Sequence, residues 1–157
     1  MAVRIYEKLG SDIAAIHDVA ETGLSEMMNY RNLILGIPTW GIGEIQEDWQ
    51  LVLPLLEDLD LTGKMAALFG LGDQESYPDT FADAMGRLFK ALGNTGCRIT
   101  GSWSTMGYDF EKSTALRGKD FVGLVLDEEN QAELTESRLN DWLKRLDFPH
   151  TGRNLPE

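Results

Sequence analysis

Two aromatic side chains, each placed just past a short aliphatic run and each set among glycines, are the residues best suited to do chemistry. Trp40 follows Leu33-Ile34-Leu35-Gly36-Ile37-Pro38-Thr39 and precedes Gly41-Ile42-Gly43-Glu44. Tyr77 follows the run Lys64-Met65-Ala66-Ala67-Leu68-Phe69 through Gly70-Leu71-Gly72-Asp73-Gln74-Glu75-Ser76. Continuous aliphatic runs of this length suit strands buried on both faces of a parallel sheet. Ligands of such sheets settle outside the carboxyl ends of the strands, so both loops are read as binding loops, with Trp40 and Tyr77 as a clasp for one planar ring system. A tryptophan alone is more often a packed rim residue, and Gly72 alone an ordinary turn glycine. On neighbouring strand ends, however, two converging aromatics need a reason to stay exposed.

Other chemistry-bearing residues offer less. His17 falls in a candidate strand, where a hydrogen-bonded structural histidine is the better reading, and His150 sits in the tail; neither pairs with Cys97 or a serine as a triad would. A single cysteine cannot close an internal disulfide, and Cys97 is read as a buried, inert thiol. Asp73, Glu75 and Asp79 lack the ligand rhythm of a calcium loop, so no metal is assigned.

The elements that must position the two loops alternate between strand and helix. Ala2, Ile5, Tyr6 and Leu9 mark two helical turns stopped by Gly10. A candidate strand covers 12–19 and a short helix 24–30, before the strand that opens at Leu33. Trp49, Val52, Leu53 and Leu56 make a helical face that Pro54 should kink or delay. Phe81, Ala84, Met85, Leu88, Phe89 and Leu92 hold a second stripe, with Thr80 as its N-cap and Gly93 as its end. A strand over 98–103 runs into a polar, glycine-dotted excursion (104–120) before strand character resumes over 121–126. The last helix is expected to start near Thr135, with Glu136 at the positive end of its dipole, and to bury Leu139, Trp142, Leu143 and Leu146. Residues 147–157 read as a frayed tail.

With 157 residues, 43% of them hydrophobic and 25% charged, the chain is one globular domain. No apolar run reaches membrane-spanning length and the first residues lack the apolar core of a secretory signal, so a soluble, cytoplasmic protein is expected. The formal charge of −12 argues against nucleic acid as a partner and suits basic protein surfaces.

Pro38-Thr39-Trp40 with Gly43-Glu44, and Leu68-Phe69-Gly70-Leu71-Gly72-Asp73-Gln74 with Tyr77, resemble the two flavin-ring loops of the long-chain flavodoxins. The run 36–49 is most similar to the flavodoxin B type of enteric bacteria, and the excursion interrupting the edge strand resembles the hallmark of the long-chain subclass. The resemblance implies a flavodoxin-like three-layer α/β sandwich with a parallel sheet in the order 2-1-3-4-5 and FMN bound non-covalently at the switch point. It implies a low-potential one-electron carrier rather than an enzyme. As a monomer it would shuttle electrons between basic redox proteins such as a ferredoxin/flavodoxin-NADP reductase and acceptor enzymes. It carries over Thr39, Trp40, Gly41 and Ile42 as the first ring loop and Gly72, Asp73 and Tyr77 as the second, with Asp73 near the pyrimidine edge of the ring. Stacking would favour the flat oxidised ring and acidic surroundings would disfavour an anionic one, both lowering the potential. Gly41 can reach positive φ, so the peptide after Trp40 could turn and offer a carbonyl to a protonated ring nitrogen.

The chain departs from this family at its beginning. Flavodoxins open with a buried strand and a Thr/Ser- and Gly-rich loop that wraps the FMN phosphate. Here the first residues match the end of the following helix, so ~20 residues are expected to be absent, allowing for a strand, a loop and the first helical turns. On that expectation the first strand of the sheet is missing and FMN binding and stability are reduced. Two further readings stay open: an FMN-poor fragment without redox activity of its own, and an FMN-dependent quinone reductase on the same fold.

Overall fold

The computed structural model describes residues 1–148. His150 and most of the expected frayed tail lie outside the described residues. The two aliphatic runs form the centre of a mainly parallel sheet. β1 (Asn32–Trp40) pairs in parallel with β3 (Met65–Leu71) from Asn32 opposite Met65 to Pro38 opposite Leu71, and the two-residue β2 (Glu44–Ile45) folds back antiparallel on the end of β1. The second edge of β3 is shared. β4 (Arg98–Thr100) pairs with its first half and β8 (Leu124–Leu126) with its last three residues, both in parallel. One edge position is therefore filled twice, with the excursion between the two halves folded into a small antiparallel sheet of β5 (Trp103–Ser104), β6 (Leu116–Arg117) and β7 (Asp120–Phe121).

Alternation along the strands sends side chains to two cores. Leu33, Leu35, Ile37, Ala66 and Leu68 pack under α2 (Glu47–Leu56) and α3 (Asp83–Leu92), contributing to a cluster with Trp49, Leu53, Met85 and Leu88. Ala67, Phe69, Leu124 and Leu126 face the other way, against Ile5 of α1 (Ala2–Leu9) and Leu139 and Trp142 of α4 (Ala132–Arg145). The result is the expected three-layer sandwich. Arg4 and Lys8 of α1 reach Glu136 of α4, and Lys8 also donates to Asn140 (2.9 Å), so the two helices of the second layer are tied along their exposed sides.

Several expected elements differ. No strand precedes Asn32 among the described residues, and 12–19 is turn and coil rather than strand. The segment has no neighbouring strand to meet: Ile13 N and Ala14 N both donate back to Gly10 O (3.1 Å), and Ile13 is 80% exposed. An isolated extended segment has no ladder to satisfy its backbone. His17, no longer in a strand, is held by Tyr30, with Nε2 2.8 Å from the phenol oxygen. The expected 24–30 helix is a 3-10 segment, Leu24–Asn29. Pro54 lies inside α2, which continues through it to Leu56; only the last turn follows, so a single backbone bond is forfeited. Thr80 does not cap α3. It ends a 3-10 turn (Pro78–Thr80), Ala82 adopts a left-handed conformation (φ 57°), and α3 begins at Asp83. The last helix begins at Ala132, and Thr135 is buried, with its hydroxyl bonded to Glu128. Cys97 is half-buried rather than buried, 3.3 Å from the Thr95 hydroxyl.

Candidate functional site

Because β1 and β3 run in parallel with Pro38 opposite Leu71, both strands deliver their following residues to the same edge. Trp40 ends β1 and is 49% exposed; Tyr77 stands beyond β3 and is 38% exposed. Large aromatics at a strand edge normally bury more than this, and these two leave apolar ring faces open to solvent. Among the described residues the two rings make no contact with each other.

The first loop is built by its backbone. Thr39 does not turn its hydroxyl outward: its Oγ1 accepts from Ala84 N (3.1 Å), so it anchors the start of α3 against β1. This interaction takes over the capping task that Thr80 does not perform. Gly41 has φ 46° and Gly43 φ 76°, and Gly43 N donates to Gly41 O (2.9 Å) across a tight turn. A Cβ at Gly43 would meet the Thr80 side chain at 3.1 Å, so the loop lies directly against the 3-10 turn that follows Tyr77. Ile42 occupies the tip, 78% exposed.

The second loop is built by carboxylates. Gly72 N donates to Leu126 O (3.1 Å), continuing the β3–β8 ladder by one bond, and a Cβ at Gly72 would sit 3.0 Å from the Phe81 ring. Asp73 Oδ1 accepts from Ser76 N (2.9 Å), Glu75 N (3.2 Å) and Asn130 Nδ2 (2.9 Å), while Asp73 O accepts from Tyr77 N (3.1 Å). Asp73 therefore shapes the loop that carries Tyr77. Donation from Ser76, with help from Asn130 and Glu75, holds its carboxyl below the usual carboxylate range. A carboxylate with a lowered folded pKa stabilises above its unfolded pKa, about 3.9, and that contribution fades as pH falls through the folded value. Acidification below about pH 4 is therefore expected to loosen 73–77. The Ser76 amide in a pH-dependent NMR exchange series would report it, and Asp73→Asn would abolish the transition.

The basic cleft at the opposite, amino-terminal end of the strands, lined by Arg31, Lys64, Arg98 and Asp147, is a poorer candidate. The Lys64 ammonium there is already engaged by Met28 O (2.8 Å) and Tyr30 O (2.6 Å).

The Flavodoxin family profile matches residues 1–142. The chain belongs to the flavodoxin family. It is 45% identical over 142 residues to a flavodoxin of Nostoc sp., covering 90% of this chain and 84% of that one. It is 45% identical over 147 residues to Flavodoxin 1 of Escherichia coli, covering 93% of this chain and 84% of the relative. Its structure is similar to that of the Fusobacterium nucleatum flavodoxin bound to flavin mononucleotide, with a TM-score of 0.85 and 36% identity over 90% of this chain and 84% of that one.

Seen as a flavodoxin, the chain brings the seven residues Thr39, Trp40, Gly41, Ile42, Gly72, Asp73 and Tyr77 to two adjoining loops, but divides their work. Trp40, Ile42 and Tyr77 present exposed apolar surface, whereas Thr39, Gly72 and Asp73 hold backbone in place. Sequence reasoning missed the residues that lock the second loop from beneath: Gln74, Asp127 and Asn130. The only signal was local. An aspartate directly after the apolar run Leu124-Val125-Leu126, with an asparagine three residues on, fits an Asx turn. Within an acidic stretch such a residue reads more readily as solvated surface.

Proposed function

We propose that the chain is an FMN-binding electron carrier that moves electrons singly and at low potential between redox partners, with the flavin ring seated between Trp40 and Tyr77. The supporting observation is the pair of half-exposed aromatics at the carboxyl ends of two hydrogen-bonded parallel strands, in a chain of the flavodoxin family. FMN, when bound, supplies the redox-active ring, and the protein sets its surroundings. The residues fit the ring of such a group: two apolar ring faces, a loop tip at Ile42, and two tightly turned backbones at the edge where α/β proteins bind ligands.

Trp40 and Tyr77 cover the faces of the ring and exclude water from them. Gly41, at φ 46° and with no Cβ, leaves the peptides on both sides of it, the one after Trp40 and the one before Ile42, free to turn. Turning the Gly41 carbonyl toward the ligand gives up its bond from Gly43 N, so the loop can trade one hydrogen bond for another. Asp73 keeps the second loop in register beneath Tyr77. The protein is a carrier, not an enzyme. Its 26 acidic residues against 14 lysines and arginines favour basic partners such as an NADP-linked reductase, met as a monomer in the cytoplasm. No described helix is long and apolar enough to cross a membrane.

Equilibrium titration of FMN, read by quenching of its fluorescence, tests this reading. Saturable one-to-one quenching is expected. Unquenched FMN would overturn it in favour of a non-redox fragment, and steady NAD(P)H-to-quinone turnover without a partner reductase would overturn it in favour of an enzyme.

A further inference from the structure

Asp127 is fully buried, directly after β8, and no lysine or arginine is paired with it among the described residues. A buried carboxylate without a counterion is costly unless neutral donors fill its lone pairs. Here they do. Oδ2 accepts from Gln74 N (3.1 Å) and Asn130 Nδ2 (2.9 Å), and Oδ1 accepts from Asn130 N (3.0 Å), Glu129 N (3.2 Å) and Asn130 Nδ2 (3.1 Å). Three backbone N–H groups and one side-chain amide converge on the same group. Only a side chain with acceptors at both oxygens satisfies all of them; asparagine would turn an NH₂ against N–H donors.

This carboxylate also joins three separate stretches of chain. Through Gln74 N it grips the Tyr77 loop, and through Asn130, which also donates to Asp73 Oδ1 (2.9 Å), it grips that loop a second time. Gln74, itself buried, accepts from Asp109 N (2.7 Å) through Oε1 and so extends the tie to the excursion. Tyr77 contributes nothing to either core cluster, and its loop is held by these polar ties and the turn they close.

We infer that Asp127 is a positioning residue for the flavin ring: it never faces the ligand, but its acceptor-only carboxylate fixes the loop that presents Tyr77. The inference deepens the electron-carrier reading and rests on it for the identity of the ligand. Hydrogen bonds to a buried charged group are worth enough that losing them should free the loop without dissolving the sheet.

The test pairs Asp127→Asn with Tyr77→Ala in a double-mutant cycle. Asp127→Asn is expected to weaken FMN binding about tenfold in the wild-type background, where tenfold corresponds to about 1.4 kcal/mol, and to have almost no further effect once Tyr77 is alanine. Hydrogen exchange on the ligand-free chain is expected to show faster exchange at the 74–76 amides with β3 unchanged. Asn130→Ala, which removes the bridge to Asp73 but leaves Asp127 its three backbone donors, gives a milder loss of the same kind and serves if Asp127→Asn does not fold. An equal loss of affinity in both backgrounds, or protection of 74–76 unchanged in these variants, would overturn the inference. Failure of the ligand reading shows separately, as wild-type chain that does not quench FMN; the exchange measurement then decides the positional claim by itself.

Discussion

Alanine at both Trp40 and Tyr77 is expected to weaken FMN binding by about two to three orders of magnitude while leaving the fold nearly as stable as before. Stacking a flat heterocycle on one aromatic side chain is worth about 1–3 kcal/mol. Two faces therefore supply about 2–6 kcal/mol, and each 1.4 kcal/mol is about a factor of ten. Trp40 should account for more than half of the loss, since the indole offers the larger face. Both residues are 38% or more exposed, and neither belongs to a core cluster, so the melting temperature should move by no more than an ordinary surface substitution does. Fluorescence titration and a thermal melt on the same samples check both halves. A double variant that binds FMN as wild type does would remove the clasp from the account. A variant that loses binding only because it unfolds would remove the assignment of Trp40 and Tyr77 as ligand-facing residues.

What could be read from the sequence followed where the determining interactions lay. The runs at Leu33 and Met65 announced central strands because burial on both faces leaves no alternative composition. The stripe from Phe81 to Leu92 announced a helix because its period is a property of one element. The break between 98–103 and 121–126 was legible as one interrupted edge, and β4 and β8 occupy successive halves of the same edge of β3. Elements whose limits depend on distant residues were not legible. Thr39 bonds to Ala84 N across 45 residues, so a cap inferred from neighbours alone fell on Thr80. The Asp127 carboxylate already receives the amides of Glu129 and Asn130, and its carbonyl receives Gln131 N (3.0 Å). The chain is turned toward α4 before Thr135 is reached. The candidate strand at 12–19 failed because a strand is a relation between two segments, and none of the described ones takes up the pairing.

The site shows the same division. Trp40 and Tyr77 stood out as candidates because aromatics beside glycines just past aliphatic runs are unusual in themselves. Gln74, Asp127 and Asn130 could not, because nothing in an acidic, polar stretch distinguishes a buried acceptor from a solvated one until β8 is placed beside β3. Thr39 and Asp73 were singled out for the ligand, and in the structure their side chains accept from backbone amides and, for Asp73, from Asn130. Residues around such a site serve it mostly by holding its backbone still.

A methyl added at Gly123 is expected to carry a large stability effect, because it would meet backbone of the central sheet. It lies between β7 and β8, and a Cβ built on it would stand 2.2 Å from Leu68 O, 2.7 Å from Leu68 C and 2.8 Å from Leu68 Cβ. Two of those three atoms are backbone of the central strand, so no side-chain rotation relieves the contact. Either β8 moves away from β3, breaking the register of Phe69 with Leu124 and Leu71 with Leu126, or β3 is displaced within two cores at once. Overpacking typically costs about 1–3 kcal/mol, occasionally more. With strand pairing also lost, Gly123→Ala is expected at the upper end, about 3 kcal/mol. For a chain of this size that lowers the melting temperature by roughly 6–12 °C. Gly118→Ala is the control: nothing lies within 4 Å of its Cβ position, and its φ of 66° adds only backbone strain, about 1–2 kcal/mol. Because β8 also supplies Leu126 O to Gly72 and leads directly into Asp127, Gly123→Ala should weaken FMN binding at temperatures where the chain is still folded, and Gly118→Ala should not. Equal stability for Gly123→Ala and wild type in a urea melt would mean that β8 does not lie against Leu68 in this register, and the support beneath the Tyr77 loop would have to come from elsewhere.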